Sequence, residues 1–239
     1  MHEKIEFNDI GISSQLDYKR IKKLLILGLM GSMMNAIGDF LLGYGIENTS
    51  LSGMERLLSK YASISDARMF WSALLGLLGI VLAGLSLFGI YRIIAGHSSK
   101  LAHHFRTGIF GYCIFGPLFH VLCLVECFFY KYLSAVSPDT ALSTCLKSAL
   151  YFMIPGTIFF MIAFYYWVIT MIIAFAKKKT DYPKVCAIFN PLTIMIICLP
   201  LSFINNPIVS AISASWISLG MLFMFGGLLI MTKKLKLDK

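Results

Sequence analysis

Apolar residues gather into six long runs, at about 24–45, 70–95, 107–130, 148–176, 185–204 and 211–231, with shorter polar stretches between them. Each run is about 20 residues or longer. A helix rising about 1.5 Å per residue needs that length to cross a hydrocarbon layer of about 30 Å. The pattern predicts an all-α, polytopic bundle of six transmembrane helices over 24–231. It also predicts a tail over 1–23 before the bundle and a second tail over 232–239.

Composition agrees independently. Hydrophobic residues make up 58% of the chain and charged residues 14%, against roughly 25% charged in a soluble domain. The net charge of +9 is not gathered on an amphipathic or aromatic-interleaved face, which argues against a nucleic-acid partner. It lies at the ends of the apolar runs, where it reads as topology and as contact with anionic headgroups of a lipid bilayer. Sixteen Lys and Arg fall in the two tails and the second and fourth connections, and five (Arg56, Lys60, Arg68, Lys131 and Lys147) fall on the opposite side. Under the positive-inside rule this bias places both termini in the cytoplasm.

The first twenty residues are polar, the following run is longer than a signal core, and a small-residue cleavage pattern is absent. The first helix therefore reads as a retained signal anchor. The six cysteines show no spaced framework. Five lie within apolar runs, where Cys acts as a small apolar residue. No cofactor motif is visible, and nothing along the chain specifies an oligomeric state.

Small residues at helical spacing predict where helices approach closely. They are Gly28, Gly31, Asn35 and Gly38 in the first run, and Ser72, Gly76, Gly79, Ala83 and Ser86 in the second. The third carries Cys113, Gly116, His120, Cys123 and Cys127. Pro117, Pro155, Pro191 and Pro200 mark irregular helices, each removing a backbone donor. In the first outer connection, Ser52-Gly53-Met54-Glu55 fits a capping box. Met54, Leu57, Leu58 and Tyr61 then repeat at helical spacing, which predicts a short amphipathic helix on the outer membrane surface. Ser137-Pro138-Asp139-Thr140 reads as another helix start.

Ionisable groups within hydrocarbon are costly, about 2.5–3.5 kcal/mol at a helix centre, and so invite a functional reading. Asp39, His120 and Glu126 are the three that stand out. Counting from the cytoplasmic ends puts Asp39 and His120 at similar depth, roughly 20 Å in, with Glu126 nearer the outer boundary. Asn35 lies one turn before Asp39, while Arg68, Trp71 and Tyr44 stand at the outer helix ends in reach of the same zone. The functional reading is a polar pocket open to the outside that binds a cationic or polar head group, relays protons or does acid–base work. The alternative is structural, with Asp39 pairing to Arg68 or His120 to lock helices together. His120, Cys123 and Cys127 share one face, but cysteines on a membrane helix are ordinary packing residues and no metal is expected.

Gly38-Asp39 followed by Leu41, Leu42, Gly43 and Tyr44, near the end of the first helix, is similar to a motif in a group of uncharacterised bacterial multi-pass membrane proteins. The resemblance implies a bacterial plasma-membrane setting and brings no activity with it. Three functions are consistent with the chain. Binding or transport of a small or lipidic molecule through the outer pocket leads. An intramembrane acid–base enzyme acting on a lipid-like substrate and a structural or accessory subunit follow. Without an activated nucleophile, phosphate loop or metal cage in the sequence, an enzyme is the weaker expectation.

Overall fold

The structure, a computed structural model, describes residues 17–237. Regular structure among them is helical throughout. In chain order the helices are α1 (Tyr18–Gly43), α2 (Gly53–Ser59), α3 (Asp66–Ala95), α4 (Ser99–Val136), α5 (Pro138–Ser148), α6 (Ile154–Ala176), α7 (Pro191–Leu201), α8 (Pro207–Ala214) and α9 (Trp216–Lys234). Among the described residues, five segments are long and apolar enough to cross a membrane: α1, α3, α4, the continuous stretch Pro138–Ala176 and α9.

Helices run past the apolar stretches that announce them. The tail expected over 1–23 lies outside the described residues as far as residue 16, and from Tyr18 it is already helix. The Asp17 carboxylate caps that helix by accepting from the Arg20 amide at 3.0 Å. The C-terminal tail is likewise helical to Lys234, and 238–239 lie outside the described residues. Hydropathy marks only the part of a helix that must face hydrocarbon. The hydrogen-bonded ladder continues into the polar zone until a cap or turn stops it.

The run over 185–204 is not one helix. A 3-10 turn covers Lys184–Ile188, and α7 then spans 11 residues, about 16 Å and well short of a bilayer. Asn190 and Pro191 cause the break. Proline fits the first helical turn, where its missing N–H is no loss, and Asn190 Oδ1 accepts from the Leu192 and Thr193 amides at 2.9 and 3.2 Å. Asn206 and Pro207 start α8 in the same way. Gly220 abuts Pro191, and Ser213 donates to the Cys198 carbonyl at 3.1 Å, so α7 runs antiparallel to α8 and α9. Pro155 acts differently. A π-helical turn over Ala149–Met153 precedes it, widening the helix where the proline ring would strike the preceding turn. Pro117 is carried inside α4 without a break.

Among the described helices, α1 and α3 share the most extensive contact. A β-carbon on Gly79 would stand 2.5 Å from the Asn35 backbone nitrogen, and one on Gly31 would stand 2.7 Å from that of Ala83. Only glycine allows backbones this close, and close approach is how helices gain contact energy in lipid. The core continues inward through Phe105, Tyr112, Phe164, Trp167 and Phe225, all fully buried. Ile114, Ile158, Ile162 and Ile196 are exposed on the outside, as a lipid-facing surface requires.

Between α1 and α3, α2 and a 3-10 turn (Lys60–Ser63) form a small cap on the bundle end. Ser52 precedes α2 but makes no side-chain capping bond, so the expected capping box is not formed. The segment is held instead by side chains bonding backbone. Ser59 Oγ accepts from the Asn48 amide at 2.8 Å, and Ser63 Oγ accepts from that of Ile46 at 3.3 Å. Ile64, Met69 and Cys127 pack beneath it.

Candidate functional site

Small residues on α3 create room for polar side chains from α1 and α4. Asn35 of α1 lies over Gly79, and the His120 ring of α4 lies over Gly76, three residues earlier on the same face. His120 Nε2 is 3.1 Å from the Ser72 carbonyl. A carbonyl only accepts, so Nε2 carries the proton and Nδ1 has the free lone pair in the neutral ring. That Nδ1 faces Asp39 Oδ1 at 3.6 Å, an ion-pair separation rather than a direct hydrogen bond. Ser72 Oγ donates to the Gly38 carbonyl at 2.8 Å, pinning α1 against α3 beside the pair.

Asp39 is flanked by buried groups on two sides. Toward α4 it meets His120, whose side chain is 7% exposed; toward α9 it lies beside Ser218, which is fully buried and donates to the Ser215 carbonyl. The Asp39 side chain nevertheless keeps 21% of its surface accessible. One turn deeper, Asn35 is only 5% exposed and its Oδ1 is buried without a partner. An unsatisfied buried acceptor costs about 1–3 kcal/mol unless something fills the need.

The other expected site residues sit elsewhere. Arg68 does not meet Asp39: its Nη2 donates to the Leu41 carbonyl at 2.6 Å and to that of Tyr44, closing the end of α1. Its guanidinium also lies over the Tyr44 ring, 5.5 Å from the centroid, and Tyr44 stacks on Phe40. Trp71 is exposed and packs edge-on against Phe70. Glu126 is six residues beyond His120, about 120° around the helix at ~100° per residue. It turns toward the α5–α6 junction, where Ser148 Oγ donates to Oε1 at 2.7 Å and Oε2 is buried without a partner.

Sequence reasoning missed Ser218 and Ser148, and read the cap residues Lys60 and Tyr61 only as loop charge and helix face. Small hydroxyl residues are common in membrane helices and carry no signal of their own. Burial, with the Cys127 thiol nearby, raises the Tyr61 phenol pKa well above the ordinary value. Burial also lowers the pKa of the Lys60 ammonium, against the opposing pull of Cys127 and Glu47. Beside this cap a cleft of about 640 Å³ opens between the α1–α2 and α7–α8 connections, lined by Glu47, Arg56, Leu57, Phe203, Asn205 and Ser210 among others. Arg56 Nε and Glu47 Oε2 pair across its wall at 3.0 Å.

Among the described residues, no three His, Cys, Asp or Glu side chains are grouped to hold a metal ion. No curated protein and no solved structure matches the chain. A family model covers residues 1–235, and the chain belongs to that family, described as a family of unknown function (DUF6796).

Proposed function

We propose that this is a six-pass protein of the bacterial plasma membrane, with both termini in the cytoplasm. It binds or transports a small or lipidic molecule through a polar site in the outer half of the bundle. The six-pass layout is supported by the antiparallel course of α7 beside α8 and α9, which adds a discontinuous pass to the five long segments. The orientation rests on the bias of basic residues.

The binding site rests on one observation above others: the Asp39 side chain keeps about a fifth of its surface accessible between two buried neighbours. Intramembrane carboxylates are costly and mark ligand or ion paths in many membrane proteins. Binding is favoured over acid–base catalysis because the neighbouring hydroxyls already bond backbone carbonyls, Ser72 to Gly38 and Ser218 to Ser215. Neither is poised as a nucleophile.

Native mass spectrometry of protein extracted gently from membranes tests this reading. The wild-type protein should carry a small molecule or lipid that folded Asp39→Asn has lost. A wild-type protein with nothing bound, or a variant that keeps the same adduct, overturns it.

A further inference from the structure

We propose that Asp39 takes a primary ammonium group. This rests on the binding reading above and narrows it to one chemical class. Three acceptors lie within about one helical turn of one another on this face. Asp39 brings a carboxylate, and His120 Nδ1 brings a lone pair because Nε2–H is committed to the Ser72 carbonyl. Asn35 Oδ1 is buried without a partner, and Asn35 and His120 lie on neighbouring glycines of one α3 face. Arg68, the basic residue expected to neutralise Asp39, directs its guanidinium to the Leu41 and Tyr44 carbonyls instead.

A primary ammonium supplies both missing elements, a positive charge and three N–H donors. An anion would meet the Asp39 charge. A quaternary ammonium would bring charge without donors and leave the Asn35 acceptor unsatisfied, at a cost. The amine has two possible sources: the head of a membrane amphiphile, or a small soluble amine.

Thermal unfolding of the full chain in detergent separates these cases, with dodecylamine, butylamine, dodecyltrimethylammonium and dodecanol as probes. A primary amine should raise Tm by about 5 °C near 100 times its Kd, while the quaternary amine and the alcohol leave it unchanged. Asp39→Asn should weaken amine binding roughly 30-fold or more. Dodecylamine acting at lower concentration than butylamine assigns an amphiphile, and the reverse assigns a soluble amine.

Equal stabilisation by dodecyltrimethylammonium or dodecanol overturns the proposal, as does an amine effect that survives in Asp39→Asn. The native mass spectrum decides the binding reading separately, so an adduct that needs Asp39 but is not an amine sinks only the ammonium assignment. If Asp39→Asn does not fold, protection of wild-type Asp39 from dicyclohexylcarbodiimide by the amine, read by peptide mass spectrometry, takes its place. Absence of protection then overturns the proposal.

Discussion

The His120 imidazole rests on Gly76 so closely that a β-carbon there would stand 1.9 Å from Nε2. The ring is buried and tied to the Ser72 carbonyl, so it cannot swing aside without losing that bond and its place opposite Asp39. Gly76→Ala should therefore lower stability by about 2 kcal/mol through overpacking. Gly226 is the control, because an added β-carbon meets only Leu29 Cδ1 at an ordinary 3.6 Å. Gly226→Ala should be neutral or stabilising by up to about 1 kcal/mol from helix propensity. Unfolding midpoints that fail to separate the two variants would mean that His120 is not seated on Gly76.

Arg68 closes α1 rather than serving Asp39. Arg68→Gln should cost about 1–3 kcal/mol by weakening or removing its bonds to the Leu41 and Tyr44 carbonyls. Combined with Asp39→Asn, the two effects should add within about 0.5 kcal/mol, as they do for residues that share no interaction. A coupling well above that in a double-mutant cycle would restore the ion pair that the structure does not form.

Lys60 is held where its charge is disfavoured. Its pKa falls on folding, so the unfolded chain binds the proton more readily. The protonated lysine therefore costs stability, and that cost fades as pH rises from the lowered value towards the unfolded one near ~10.4. Lys60→Met keeps the apolar stem and removes the ammonium. It should raise the unfolding midpoint at neutral pH, and the advantage should shrink by pH ~10.5. An advantage that is absent at neutral pH, or unchanged at high pH, contradicts the burial of this group.

Two lysines occupy backbone positions suited to glycine. Lys178 and Lys236 have φ of 53° and 55°. Each closes a helix with paired backbone bonds: Lys178 N to Phe175 O with Lys179 N to Ala174 O, and Lys236 N to Lys233 O with Leu237 N to Thr232 O. This is the Schellman ending, which glycine adopts without strain. Lys178→Gly and Lys236→Gly should each stabilise by up to about 1 kcal/mol, since the left-handed region costs other residues roughly 1–2 kcal/mol. A fall in midpoint for both would show that the lysine charge at the helix end outweighs the backbone strain.

The proposed orientation puts the α6 end in the cytoplasm. A membrane-impermeant maleimide should label Lys178→Cys only after cells are opened. Labelling in intact cells would reverse the topology and move the polar site to the cytoplasmic half.

The apolar runs alone determined that the chain is built of helices long and apolar enough to cross a membrane, because hydropathy is a local property and bilayer thickness converts it into length. Depth was legible too, since a fixed rise per residue sets Asp39 and His120 at similar heights. Direction around each helix was not. Glu126 had the right chemistry and roughly the right depth, yet it points to Ser148 because six residues carry it about 120° from His120. Arg68 had the right charge, but the carbonyls at the end of α1 compete for its donors and win. Ser218 became a neighbour of Asp39 only because α9 closes the bundle against α1. Which side chains meet depends on helix crossing and rotation, set by glycine contacts between segments far apart in the chain, and only the tertiary structure decides those.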